Sequence, residues 1–362
     1  MPEKGVRDMS TEPKLSTYLH SKAIKNEIPI SGTFELTSRC NFNCEMCYVH
    51  DDCHKSDGLT TEQWLKVAED AKEAGTLFLL LTGGEPLIRE DFAYLYTELK
   101  KMGFMISINT NGSLLHKYFD LFRQYPPSRV NISLYGSDEE TYKKLCKINA
   151  FSKVIENIKE LVKIGVSVKL NTVFTDKNNH QYKEIIDIAE KLGVPISTTA
   201  YAYPQVRLDK AFGENLGRMT AVEAAECTVN CEKYRFRNYD FSERAKMLLN
   251  GQGTEKCDRV SCRAGRAAYW ITSDGKMQAC GMLPKIKLDI FELGFQKAWQ
   301  ELVAEVKDIR LPKKCIECKF TKNCNACAAM CYAETGYFDQ VPEYICKVSE
   351  NICRLLEREL KE

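Results

Sequence analysis

The sequence predicts an α/β fold: a partial (β/α)6 barrel followed by a small Cys-rich C-terminal domain. Three observations carry this expectation. Apolar strands alternate with amphipathic helices over residues 33–201, six such units occur, and ten of the 17 cysteines lie in two dense groups. Alternation at this spacing implies a parallel sheet with right-handed crossovers. Six units are too few for a closed eight-fold barrel, so the sheet is expected to be curved and partly open. Its chemistry belongs at the C-terminal ends of the strands, where loops carry side chains over the mouth.

The candidate strands are 33–37, 77–82, 104–109, 130–135, 166–174 and 196–201. A helix over 61–74 opens with Thr60 and Gln63 in capping-box register. Farther on, Phe151, Val154, Ile155, Ile158, Leu161 and Val162 follow helical spacing, and Gly165 stands where a C-terminal cap belongs. These units make up a barrel domain over 33–202, preceded by an N-terminal extension over 1–32. Residues 203–256 mix charges around Gly251 and Gly253 and read as a linker with bridging helices. The Cys-rich unit, 257–362, reads as short in regular elements and dependent on metal for its fold.

Composition narrows the function classes. A net charge of +1 over 362 residues gives no broad electrostatic reason to expect nucleic acid or an anionic membrane as partner. The longest apolar runs, 77–81 and 166–173, are strand-sized and far short of the roughly 20 residues that span a bilayer. The Lys-rich start has no apolar signal core, so a cytoplasmic location is expected. A chain that is 44% hydrophobic does not need disulfides to replace a missing core, which leaves metal as the better use of its thiols.

After the first strand come Cys40, Cys44 and Cys47, spaced by three and two residues. Three close thiolates suit three irons of a 4Fe-4S cluster and leave the fourth iron open to an exogenous chelate. A zinc loop completed by Cys53, His50 or His54 is the alternative on ligand chemistry. The second strand ends in Gly83, Gly84, Glu85 and Pro86. There two glycines allow close backbone approach to a ligand, and a carboxylate is available for an ammonium group.

Together these two motifs resemble the radical SAM superfamily, whose Cys-x3-Cys-x2-Cys and Gly-Gly-Glu-Pro segments both match, over about residues 30–200. The resemblance implies S-adenosylmethionine (SAM), chelated through its methionine amino and carboxylate groups by the open iron. Reductive cleavage would then yield a 5'-deoxyadenosyl radical that abstracts a substrate hydrogen. It also implies SAM contacts at Gly83, Gly84, Glu85 and Pro86, at Thr110 in Asn109-Thr110-Asn111-Gly112, at Ser133, at Asn171 and at Tyr48 near the adenine. Where related enzymes carry an Arg after the fourth strand, this chain offers Lys144 or Lys147.

Downstream stand Cys257, Cys262, Gly275, Cys280, Cys315, Cys318, Cys324, Cys327, Cys331 and Cys346. Eight thiols would serve two four-ligand clusters, and one zinc on Cys315, Cys318, Cys324 and Cys327 is the alternative. The spacing resembles the SPASM extension, an auxiliary-cluster domain of radical SAM enzymes that act on peptides and proteins. That resemblance implies a nearer cluster on Cys257, Cys262, Cys280 and either Cys327 or Cys331, and a farther one on Cys315, Cys318, Cys324 and Cys346. Cys146, Cys227, Cys231 and Cys353 fit no motif and read as buried or idle thiols, with Cys227 and Cys231 spaced to share a helix face.

The function implied is maturation of a ribosomally made peptide, for example by a Cys sulfur-to-carbon crosslink. Two further readings stand beside it: an anaerobic sulfatase maturase forming formylglycine, and a non-catalytic iron-sulfur electron carrier. Expected partners are a peptide or protein substrate, a ferredoxin or flavodoxin electron donor and a separate leader-recognition protein. The sequence assigns no residue to hydrogen abstraction or to general base catalysis.

Overall fold

In the computed structural model, which describes residues 14–48, 58–205, 212–213, 217–251, 258–324 and 326–361, all six predicted strands form. They are β1 (Ser31–Glu35), β2 (Phe78–Thr82), β3 (Met105–Thr110), β4 (Arg129–Ser133), β5 (Val168–Val173) and β6 (Ile196–Thr199). Each pairs in parallel with the next, so sequence neighbours are neighbours in space. The sheet stays open, ending at β6 on one edge. The helix Thr61–Glu73 carries the predicted capping box, with the Thr60 hydroxyl accepting from the Gln63 N–H and the Gln63 side chain accepting from the Thr60 N–H. Gly165, two residues past the helix Phe151–Lys163, has φ +81° and makes the turn into β5.

Strand alternation gives the sheet two different faces. On one, Phe34 stacks on Trp64 of the helix Thr61–Glu73 with ring centroids 4.9 Å apart. Leu79, Leu81, Ile106, Ile108, Val130 and Ile132 continue that buried apolar layer. Each such side chain contributes about 1.5–3 kcal/mol relative to exposure, which holds the helices to the sheet. On the other face Asn109, Asn131, Ser133 and Asn171 alternate with these apolar residues, and the Asn131 amide donates to Asn109 at 2.9 Å. That face is therefore polar over β3, β4 and β5.

The C-terminal region departs from the sequence expectation. It begins with β7 (Ala268–Ile271), which pairs in parallel with β1, followed by β8 (Lys276–Gln278) and β9 (Leu288–Asp289) in antiparallel order. Nine strands thus form one sheet that crosses position 257. Far from being short in regular elements, the region also holds the helices Phe295–Asp308, Ala328–Thr335 and Glu343–Glu359. Phe295, Ala298, Trp299, Leu302, Val303 and Val306 recur at helical spacing and are buried, a period that the cysteine pattern overshadowed.

Between the strands and this region lie the helices Ala221–Arg235 and Phe241–Asn250. The helix Glu343–Glu359 packs along both. The described part of the N-terminal extension holds a docked helix, Lys14–Asn26, whose His20 stacks on Phe78 at 5.0 Å and meets the Ser31 hydroxyl at 2.9 Å. Among the described residues no helix is long and apolar enough to cross a membrane.

Candidate functional site

The ends of β1 and β2 are stitched together immediately before the first cysteine. Gly84 donates its N–H to the Thr37 carbonyl at 2.8 Å and Glu85 donates to Arg39 at 2.9 Å. A Cβ on Gly83, which has φ +150°, would lie 2.4 Å from the Thr37 carbonyl oxygen, and one on Gly84 would lie 2.4 Å from that of Arg39. What approaches them closely is the chain leading into Cys40.

Glu85 is fully buried. Its carboxylate accepts from the Thr110 hydroxyl at 2.8 Å, from the Asn111 N–H at 2.7 Å and from the Leu87 N–H at 3.1 Å. Burial nonetheless pushes its pKa up to about 7, against the pull of these three donors. The Thr110 hydroxyl is spent on Glu85 and on the Gly112 N–H at 3.0 Å, and buried Pro86 opens a single 3-10 turn. Glu85, Pro86 and Thr110 thus join the ends of β2 and β3.

Cys40, Cys44 and Cys47 are partly buried and lie close enough for the charges of Cys44 and Cys47 to bear on Cys40. Burial pushes the Cys40 thiol up to about 12, so it ionises only with a cation beside it. The loop is held from four sides. Asn43 and Glu45 donate their N–H groups to the carbonyls of Cys146 and Leu145, at 3.2 and 3.0 Å. Lys177 and Lys147 both pair with Glu45 and hold its carboxyl below the usual range. The Gln205 amide donates to the Glu45 and Cys47 carbonyls at 3.1 and 2.8 Å. Asn111 reaches the Cys40 sulfur at 3.9 Å and the Asn41 side chain at 2.8 Å.

Among the described residues no three His, Cys, Asp or Glu side chains are arranged to hold a single metal ion. Tetrahedral zinc at about 2.3 Å per thiolate needs sulfurs within about 4 Å of one another, whereas a cubane spreads its ligands wider. Three thiols around one loop mouth suit three irons of a 4Fe-4S cluster. Cys53, His50 and His54 lie outside the described residues.

Ser133 and Asn171 are register partners across β4 and β5, side by side on the polar face. Tyr48 has its ring 6.3 Å from that of Tyr203, beyond β6. Lys144 pairs with Glu140 at 2.7 Å and Lys147 with Glu45 at 3.2 Å, so both cations offered in place of an Arg already have carboxylate partners.

The C-terminal thiols gather in two places. Cys262, Cys280 and Cys327 line a cavity of about 110 Å3 together with Tyr203, far larger than the roughly 10–15 Å3 that one water needs. Of the two alternatives for this set the structure brings Cys327 to it, while Cys257 lies outside the described residues. Cys315, Cys318, Cys324 and Cys346 form the second gathering, in which burial first, and then the charges of the other three thiols, push Cys346 up to about 11. Buried Cys331 stands beside Cys315 and Cys327, between the two sets.

Several residues at the first loop carried no sequence signal. Cys146, read as a buried or idle thiol, is buried, and it lies against the Cys44 sulfur, a contact that raises Cys44 well above its ordinary value. Gln205 and Lys177 reach the loop from positions more than a hundred residues away. Only the topology brings them there. Cys227 and Cys231 do share one face of the helix Ala221–Arg235, sulfur to sulfur.

The family model of the Radical SAM superfamily matches residues 34–192. A probable GTP 3',8-cyclase of Sulfurisphaera tokodaii is 31% identical over 269 residues, covering 71% of this chain and 83% of that protein. A probable GTP 3',8-cyclase of Saccharolobus islandicus is 37% identical over 161 residues, and there the match spans 44% of this chain and about half, 52%, of that protein. Among solved structures, Streptococcus suis SuiB bound to S-adenosylmethionine aligns over 91% of this chain and 81% of its own, with TM-score 0.68 and 17% identity. Native anSMEcpe with bound AdoMet aligns over 92% and 98%, with TM-score 0.71 and 16% identity. At these identities the structural likeness is one of fold.

Proposed function

The chain belongs to the radical SAM superfamily, and from that premise we propose that it modifies a ribosomally made peptide or protein. The fold implies SAM and a 4Fe-4S cluster as cofactors. Such a cluster supplies the electron that splits the SAM sulfonium and so the carbon radical that takes a substrate hydrogen.

Cys40, Cys44 and Cys47 hold the cluster, and Glu45, clamped by two lysines, fixes the arc between the last two. Gly83 and Gly84 bring the two strand ends together, and Ser133 and Asn171 present polar groups to SAM from the polar face of the sheet. Tyr48 borders the adenine side of the same mouth.

The observation that carries the peptide reading is the pair of separate thiol gatherings. Cys262, Cys280 and Cys327 are one, and Cys315, Cys318, Cys324 and Cys346 the other. Two auxiliary clusters of the SPASM kind fit this division, with Cys257 as the fourth ligand of the nearer set. They would accept the electron left after substrate oxidation or hold a substrate thiolate. A ferredoxin or flavodoxin would supply electrons, and a separate protein would present the peptide leader.

A second reading, rearrangement of GTP, is favoured by the curated relatives at 31–37% identity. Formylglycine formation is less supported, because Gly281, packed against the Trp270 ring, and Met282 follow Cys280 where a carboxylate base is expected. The test is to incubate reduced, reconstituted protein and SAM with an encoded peptide or with GTP. A peptide lighter by two hydrogens supports maturation. A cyclised nucleotide with unchanged peptide would replace that reading.

A further inference from the structure

Around the farther thiols the sequence places Lys313, Lys314, Lys319 and Lys322 within one short stretch that also contains Cys315, Cys318 and Cys324. All four lysines are exposed, and Lys347, directly after Cys346, is exposed as well. Elsewhere surface lysines are commonly paired, as Lys66 is with Asp70, Lys144 with Glu140 and Lys276 with Asp289. None of these five takes part in an ion pair among the described residues. The stretch offers one carboxylate, Glu317. A chain of net charge +1 therefore concentrates uncompensated positive charge at one thiol set.

The surface that bears this charge is built rigidly. Asn323 donates to the Leu249 carbonyl at 3.0 Å, and the Thr321 hydroxyl donates to the Cys315 carbonyl at 3.1 Å. A Cβ on Gly251 would lie 2.4 Å from the Lys322 carbonyl oxygen, so the loop sits directly on the end of the helix Phe241–Asn250. Local charge balance for the thiolates explains only part of the collar. Lys314 bears on Cys346, whereas Lys319 lies over the Phe320 ring at 4.7 Å. An exposed, only partly compensated cationic rim on a fixed backbone suits docking of an acidic macromolecule.

We propose that this lysine collar is the docking surface for an acidic one-electron carrier protein. The inference rests on the reading that Cys315, Cys318, Cys324 and Cys346 hold an iron-sulfur cluster. The carrier is oxidised by one electron and the cluster at this set is reduced by one; no bond forms or breaks and no proton moves. Steering by such a rim raises association rates by about ten-fold to a thousand-fold at low salt and fades as salt rises.

The test compares the reconstituted full chain with its K313E/K314E/K319E/K322E variant. Iron content and the cluster spectrum are measured first, then the rate of reduction by a reduced acidic flavodoxin and, separately, by titanium(III) citrate, which needs no protein surface. The expected result is equal iron and an equal citrate rate, with the flavodoxin rate at least about ten-fold lower in the variant and the wild-type rate falling with salt. An unchanged flavodoxin rate at equal iron overturns the docking surface and leaves the cluster reading standing. Zinc in place of iron at the farther set removes the cluster reading and the inference with it, whereas an equal loss of the citrate rate at equal iron marks a general charge effect and overturns the docking surface. If the variant loses binding of an acidic peptide while its flavodoxin rate is unchanged, the collar belongs to the substrate and the proposal fails.

Discussion

The hydroxyl of Thr110 donates to the buried carboxylate of Glu85 at 2.8 Å and ties the end of β3 to the end of β2 behind the Cys40 loop. Glu85 has its pKa raised from 4.5 to about 7 by burial. The folded state therefore binds this proton more tightly than the unfolded state, and stability should fall as pH rises from about 4.5 to about 7, then level off. The full effect is roughly 3 kcal/mol. Denaturant unfolding at a series of pH values should show this decline, and Glu85→Gln should flatten it while lowering stability at low pH. An equal slope in both proteins would assign the decline to other groups.

Gly84→Ala should disturb metal loading at a distance from every thiol. Its Cβ would meet the Arg39 carbonyl at 2.4 Å, and relief requires moving the chain that leads into Cys40. A cost of about 1–3 kcal/mol is expected, with reduced iron at the first set and unchanged iron at the C-terminal sets. Iron analysis of the variant beside a Cys40→Ala control checks this. Full loading at wild-type stability would show that the loop yields freely.

How far the sequence foretold this arrangement depended on whether the signal was local. The capping box of Thr60 and Gln63, the glycine turn at Gly165 and all six parallel strands follow from periodicity and turn chemistry, and each is present. The pairing of β7 with β1 was not legible. Four residues, Ala268–Ile271, can join any open edge, and only the packed fold selects β1. The same holds at the site. Cysteine spacing identifies the loop, but Gln205, Lys177 and Cys146 reach it through tertiary contacts that no spacing encodes. Gly-Gly was legible as a close approach, and the backbone of Thr37 and Arg39 makes one.

Gln205→Leu should leave the half-buried Glu45 and Cys47 carbonyls without their side-chain donor. Each such loss costs about 1–3 kcal/mol, concentrated on the arc between the last two thiols. The reduced protein should show a broadened or shifted paramagnetic spectrum of the first cluster, with Gln205→Asn restoring neither bond because its side chain is one methylene shorter. An unaltered spectrum in both variants would mean that the arc is held by the Glu45 ion pairs alone.

Cys146→Ser keeps a donor beside the Cys44 sulfur, whereas Cys146→Ala removes it. Iron content should be unchanged in both. The reduction potential of the first cluster should fall in the alanine variant, because a thiolate without a hydrogen-bond donor favours the oxidised form, and should recover toward wild type in the serine variant. Loss of iron from either protein would instead make Cys146 part of the ligand set.

The most direct measurement is formation of 5'-deoxyadenosine by the reduced, reconstituted protein with SAM, set beside a C40A/C44A/C47A variant. The account predicts nucleoside from the wild type, none from the variant, and about four fewer irons per chain in the variant, with the iron of the C-terminal thiols retained. Equal nucleoside from both proteins, or zinc in place of iron on the Cys40 loop, would contradict it.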